Sequence, residues 1–189
     1  MPGLTQHRLT DITGNNVMGV LVFYIFFGVC FVCSMIRTSY HVLENRGSRL
    51  VENKKSHRLL LIAMFFLFFS WFGMLFNDPY EMNLPSWVRY TGLALFIIGV
   101  SFFVISHLRI RGLDSDRLII SGVYSKIRHP MYLGFILWMI GLPVFMNALF
   151  TLASAAIWIP HILYWMIAEE RQLERKYENY QEYKKKTWF

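Results

Sequence analysis

The chain has 189 residues, 55% of them hydrophobic and 16% charged, with a formal net charge of +7. So apolar a chain cannot stay solvated in a disordered state, and two cysteines exclude a disulfide-held scaffold. Soluble domains carry about a quarter charged residues, and here the apolar residues fall in long uncharged runs. Residues 17–36 form the first, 20 residues without a charge. It lacks a basic leader and a small-residue cleavage site, so it reads as a membrane span and not as a cleaved signal. Arg37 and the basic stretch after it read as a stop-transfer flank. Cys30-x-x-Cys33 has the spacing of a redox motif, but its place in mid-span favours helix packing. The second run, 59–76, has 18 residues; the third, 87–106, has 20 and contains Arg89 near its start. Pro79, Tyr80, Pro85, Trp87 and Tyr90 lie between and around them, as in an aromatic belt at a membrane interface. His107 closes the third run near the surface. The last run, 131–168, is 38 residues without Asp, Glu, Lys or Arg, enough for two crossings that turn at Asn147. A crossing needs roughly 20 apolar residues to traverse about 30 Å of hydrocarbon. The expected fold class is therefore all-α integral membrane, with about five transmembrane helices.

Charge placement gives an orientation. Seventeen of the 19 Lys and Arg residues fall in 37–58, 108–130 and the tail after 168. In a five-crossing chain these segments share one side, and the positive-inside rule makes that side cytoplasmic. Only Arg8 and Arg89 lie opposite. The N-terminus is then outside and the C-terminus inside. The positive charge is accounted for by topology and by anionic lipid headgroups, without nucleic acid. Tyr177, Tyr180, Tyr183 and Trp188 interleave the basic tail and suit an amphipathic helix on the membrane surface. Charges spaced for pairing over 169–186 predict that the fifth helix continues through it. Arg109 and Arg111 read as headgroup contacts.

Polar chemistry is confined to the cytoplasmic side. Residues 1–107 read as a three-helix membrane region, and 108–189 as the functional region, within one structural unit. Ser121-Gly122 signals a turn, and Pro130 suits the first turn of the fourth helix. Arg128 and His129 then stand at a helix N-terminus, where free N–H groups and the dipole favour anions. The blander reading is an anchoring flank whose Arg snorkels to headgroups. Glu169-Glu170 lies at the cytoplasmic end of the fifth helix. The two helices are antiparallel neighbours with a short turn, so these ends must meet. The resulting cluster suits a ligand with both an amine and a carboxylate.

Gly122-Val123-Tyr124, then Arg128-His129-Pro130-Met131-Tyr132-Leu133-Gly134, then Glu169-Glu170-x-x-Leu173, then Tyr180-x-x-Tyr183, taken in this order, resemble the isoprenylcysteine carboxyl methyltransferase and phospholipid methyltransferase superfamily. The resemblance covers about 118–186. It implies S-adenosyl-L-methionine as cofactor, held in a cytoplasmic pocket formed by the helical hairpin, its preceding loop and the tail. It implies Leu118, Ile119 and Tyr124 as lining residues, Arg128, His129, Pro130 and Tyr132 as the junction that holds the cofactor, and Glu169 with its neighbour Glu170 as the acidic contacts. Trp165 stands where the carboxyl methyltransferases carry an Arg, and His161, beside Pro160, is the nearest basic residue of that helix. Both are candidate substrate contacts.

Methyl transfer from a sulfonium is an in-line displacement that mainly needs alignment and exclusion of water. No metal is called for, and the six histidines show no ligand spacing. The catalytic candidates are Arg128, His129 and Glu170, with His129 or Glu170 as base for an amine acceptor. The expected acceptor is lipid-like or a small apolar molecule: an isoprenylcysteine carboxylate, a phospholipid amine or a thiol. Two alternatives stand: a membrane NADPH-dependent sterol-type reductase relative, and a non-catalytic membrane assembly protein.

Overall fold

The computed structural model describes residues 3–49, 51, 53–111 and 118–189, and the side chains of these except 3–16, 110 and 111. Arg8, Arg111 and Arg117, which entered the charge count, lie outside the described side chains. Among the described residues the chain forms helices α1 (Gly3–Asn45), α2 (Lys54–Phe76), α3 (Ser86–Arg111), α4 (Pro130–Met146), α5 (Leu149–Lys176) and α6 (Tyr180–Lys186). A 3₁₀ turn, Gly122–Ser125, precedes α4.

Four helices are long and apolar enough to cross a membrane: Val17–Asn45, Lys54–Phe76, Ser86–Arg109 and Leu149–Lys176. Five crossings were expected; the fifth candidate, α4, is a shorter apolar helix. Its 17 residues rise about 25 Å at about 1.5 Å each, the short end of the range for a crossing. Pro130 sets its start and Asn147, left-handed at φ 61°, ends it. Between 17% and 33% of each long span is buried inside the protein. Large side chains such as Phe65, Phe69, Ile97 and Ile105 point outward, an arrangement that lipid accepts and water does not. The polar groups are turned inward: Ser70 and Ser106 are buried, and their hydroxyls donate to carbonyls three or four residues earlier.

Helices α3 and α4 meet along glycines spaced seven apart on each. A Cβ on Gly99 would stand 2.6 Å from the Gly134 carbonyl oxygen, and one on Gly141 would stand 2.6 Å from that of Gly92. Bare backbone is what lets the two rods approach so closely, the usual solution where hydrophobic drive is absent.

The turn between α4 and α5 is pinned from the α2–α3 connector. The Asn147 side-chain carbonyl accepts from Leu84 N–H at 3.1 Å. The Asp78 carboxylate accepts from Phe150 N–H, Thr151 N–H and the Thr151 hydroxyl, at 3.3, 2.6 and 2.8 Å. A carboxylate at a helix start satisfies orphan donors and complements the dipole. Asn147 is therefore the turn residue that the sequence indicates, and it makes α4 and α5 an antiparallel hairpin.

Two expectations are corrected. The run 37–45 is not a loop, because α1 continues through it and carries Arg37 into the protein. The tail is not one helix with α5: the chain breaks at the extended Tyr177 (φ −126°, ψ 114°), and α6 folds back. Tyr180 is 1% exposed, so the tail is packed into the protein and does not simply lie on a membrane surface. Burial of that ring outweighs the local charge pairing that favours a continuous helix.

Candidate functional site

The hairpin brings the two sequence motifs together as expected. Pro130 is the first residue of α4 and His129 its N-cap. Arg128 Nε donates to Glu170 Oε1 at 2.9 Å, and His129 Nε2 lies 3.2 Å from the same oxygen. The other oxygen, Oε2, accepts from Lys184 Nζ of α6 at 2.7 Å. Lys184 also reaches Glu174 Oε1 at 3.0 Å. Arg128 Nη1 donates to the carbonyls of Thr187 at 2.6 Å and Lys184 at 3.2 Å. Glu170 is 8% exposed, and a carboxylate so placed needs this degree of pairing. Lys184 is a participant that the sequence reading did not single out, because the break after α5 is what returns it to Glu170.

Glu169 and Glu170 face different surroundings, since consecutive helical residues point about 100° apart. Glu169 is half-buried and its charge acts on the nearby Tyr132 hydroxyl. Its charge also acts on His129 and His41. Among the described residues it has no ion pair.

His129 is buried. Burial pushes its imidazole below the ordinary range, against the opposing pull of Glu169 and Glu170, so the ring is neutral at neutral pH. The contact to Glu170 then places its proton on Nε2. Tyr183 donates to the Tyr124 carbonyl at 2.6 Å, and burial pushes its hydroxyl up to about 12. The Tyr180 hydroxyl, beside Glu170 and Arg128, is buried without a hydrogen-bond partner.

The tail reaches the chain just before the helix start. The N–H groups of Arg128 and His129 are not open to an anion: they donate to the carbonyls of Trp188 and Phe189 at 3.1 and 2.9 Å. The tail runs alongside Ile127 as a parallel bridge to Trp188, and backbone pairing satisfies these donors internally.

The other predicted residues divide between two places. Leu118 and Ile119 are half-buried and Tyr124 buried, around the 3₁₀ turn. Tyr132, His161 and Trp165 instead line a cavity between α1, α2, α4 and α5. His161 Nδ1 is 2.8 Å from the Ile157 carbonyl. Arg37 of α1 lines the same cavity, with its guanidinium carbon 4.3 Å from the centroid of the Trp165 ring. In the sequence it looks like a flank, and only the packing of α1 on α5 shows otherwise. Arg109 donates to the Ser121 hydroxyl at 2.7 Å, so it fastens α3 to the turn before α4.

Residues 87–180 match the profile of a family described as phospholipid methyltransferase. Protein-S-isoprenylcysteine O-methyltransferase from Xenopus laevis is 41% identical over 86 aligned residues, covering 39% of this chain and 26% of the relative. The chain thus spans about a quarter of the length of the curated relative it matches. No solved structure matches.

Proposed function

We propose that this chain, whose residues 87–180 match the phospholipid methyltransferase family, is a member of that family and a multi-pass membrane methyltransferase acting on a lipid-like or small apolar acceptor. Methyltransferases of this family take the methyl group from S-adenosylmethionine. The observation that carries the reading is the meeting of Arg128 and His129 with Glu170 across the α4–α5 hairpin, inside the family-matched segment. We further assign the N-terminus to the outside and the C-terminus to the cytoplasm, on the placement of Lys and Arg. The loop before α4, the hairpin and the tail, residues 108–189, form the cofactor-binding region in this reading.

The donor set suits a zwitterion. Glu169 offers a carboxylate without an ion pair to an ammonium group. Arg128 and Lys184 supply positive potential for a carboxylate, and the orphaned Tyr180 hydroxyl offers a further hydrogen bond. We assign Leu118, Ile119, Tyr124 and Pro130 as the apolar walls of the site. When bound, S-adenosylmethionine supplies an activated methyl group. The protein then has to align, exclude water and manage a proton. Glu170, tied to Arg128, His129 and Lys184, holds these groups in place and keeps the His129 ring oriented. For an amine acceptor, neutral His129 is poised to take the proton; a thiolate or carboxylate needs none.

The test is ligand-dependent melting of the purified protein. S-adenosylhomocysteine raises the melting temperature and NADPH does not. A response to NADPH alone supports a reductase, and a response to neither supports a non-catalytic membrane protein.

A further inference from the structure

The cavity between α1, α2, α4 and α5 holds a cation for which the methyl-donor cluster has no use. Arg37 Nη1 donates to Met64 Sδ at 2.7 Å, and a thioether is a weak acceptor. Its Nε is buried and has no hydrogen-bond partner. The guanidinium lies over Trp165, and the indole N–H of that ring is spent on the Thr38 hydroxyl at 2.9 Å, which fixes the face turned to Arg37. The Tyr132 hydroxyl is the other polar group coupled to it. Among the described residues, no carboxylate lies within ion-pair distance of Arg37.

An arginine does not escape burial by losing its proton. Stacking on an indole offsets part of the desolvation, but the half-buried guanidinium, with its Nε enclosed, has no counter-ion to offset the rest. The remaining wall is almost wholly apolar, with Leu67, Phe68 and Phe135 among its residues. The cavity has room for about 50 Å³, the space of a few waters. That room takes a compact headgroup but not an attached apolar chain, which has to extend beyond the cavity.

We propose that Arg37 is an anion-binding residue of this cavity, and that its ligand is an amphiphile bearing a carboxylate or a phosphate next to an apolar chain. The planar fork of the guanidinium matches either anion in two-point contact. Trp165 stacks on that fork, and Tyr132 lines the cavity beside it. Resting on the methyltransferase reading, the amphiphile is the acceptor. Its selectivity for a negative group is then set by α1, which lies wholly outside the family-matched residues 87–180.

The experiment uses the full chain in lipid nanodiscs, titrated with octanoate, octyl phosphate, octanol and octyltrimethylammonium. Binding is read by tryptophan fluorescence and by melting temperature. The two anions are expected to bind about tenfold more tightly than octanol, in line with a charge-assisted pair, and the cation no better than octanol. The carboxylate and phosphate arms show which anion is preferred. Arg37→Gln should erase the preference and Arg37→Lys should keep part of it. Equal binding of octanol and both anions to the unaltered protein overturns the proposal even if a variant fails to fold, as does an undiminished preference in folded Arg37→Gln. S-adenosylhomocysteine is titrated into the same unaltered sample. Its failure to bind sinks the methyltransferase reading and leaves the anion result standing; its binding without an anion preference sinks the Arg37 site alone.

Discussion

Glu170 carries more of the structure than its neighbour, although the two look equivalent in the sequence. Glu170→Gln strips charge from a carboxylate bonded to Arg128, His129 and Lys184. Breaking a buried pair from one side costs about 3 kcal/mol or more, so a fall in melting temperature in detergent is the expected result. Glu169→Ala removes no ion pair and should melt close to the unaltered protein. Its loss should instead abolish binding of S-adenosylhomocysteine in calorimetric titration; unchanged affinity would remove Glu169 from the cofactor site. His129 adds a dependence on pH. Its folded-state affinity for protons is held below the ordinary value of 6.5. As pH falls, the unfolded chain therefore takes up the proton first. The stability is present above about pH 6.5 and is lost as pH falls below it. Melting temperatures from pH 8 to pH 5 should drop, and His129→Asn should flatten that drop. The Arg128, His129 and Glu170 contacts were legible because one tight turn forces their helix ends together. Arg37 was not: the first charge after an apolar run usually snorkels outward, and its aromatic cover comes from a helix more than a hundred residues later.

At the level of elements, the α3–α4 seam is set by backbone proximity. Gly99→Ala and Gly134→Leu place atoms where a carbonyl oxygen already stands 2.6 Å from the added Cβ. Overpacking of this kind costs about 1–3 kcal/mol. Gly28→Ala has nothing within 4 Å and should be neutral or slightly stabilising. Parallel thermal unfolding of the three variants checks the contrast. The seven-residue spacing of Gly92 with Gly99, and of Gly134 with Gly141, was readable but went unread, since the apolar runs alone fixed the helices. The hairpin turn at Asn147 was legible, because an isolated polar residue in a 38-residue apolar run has few other uses. The stop after Lys176 was not, because nothing local shows that Tyr180 must be buried.

For the molecule as a whole, composition and charge carried the all-helical membrane reading, while the length of α4 depended on where Pro130 and Asn147 cut the last run. The inside-out distribution of polarity, with hydroxyls sheltered and phenyl rings facing outward, makes detergent or lipid a condition of folding. The proposed orientation is open to cysteine labelling in intact cells. Trp87→Cys, on a surface position 72% exposed, should react with a membrane-impermeant maleimide. Lys185→Cys, in the exposed part of the tail, should react only after permeabilisation. The reverse pattern would invert the topology.

The Thr38–Trp165 bond joins residues 127 positions apart, and it bears on how the polypeptide is made. Arg37 emerges from the ribosome long before the indole that will cover it has been translated. Until then that guanidinium lacks the aromatic face that covers it in the finished bundle. The contact of the first helix with the fifth can form only once α5 has been made, so the covered state of Arg37 belongs to a late stage of synthesis.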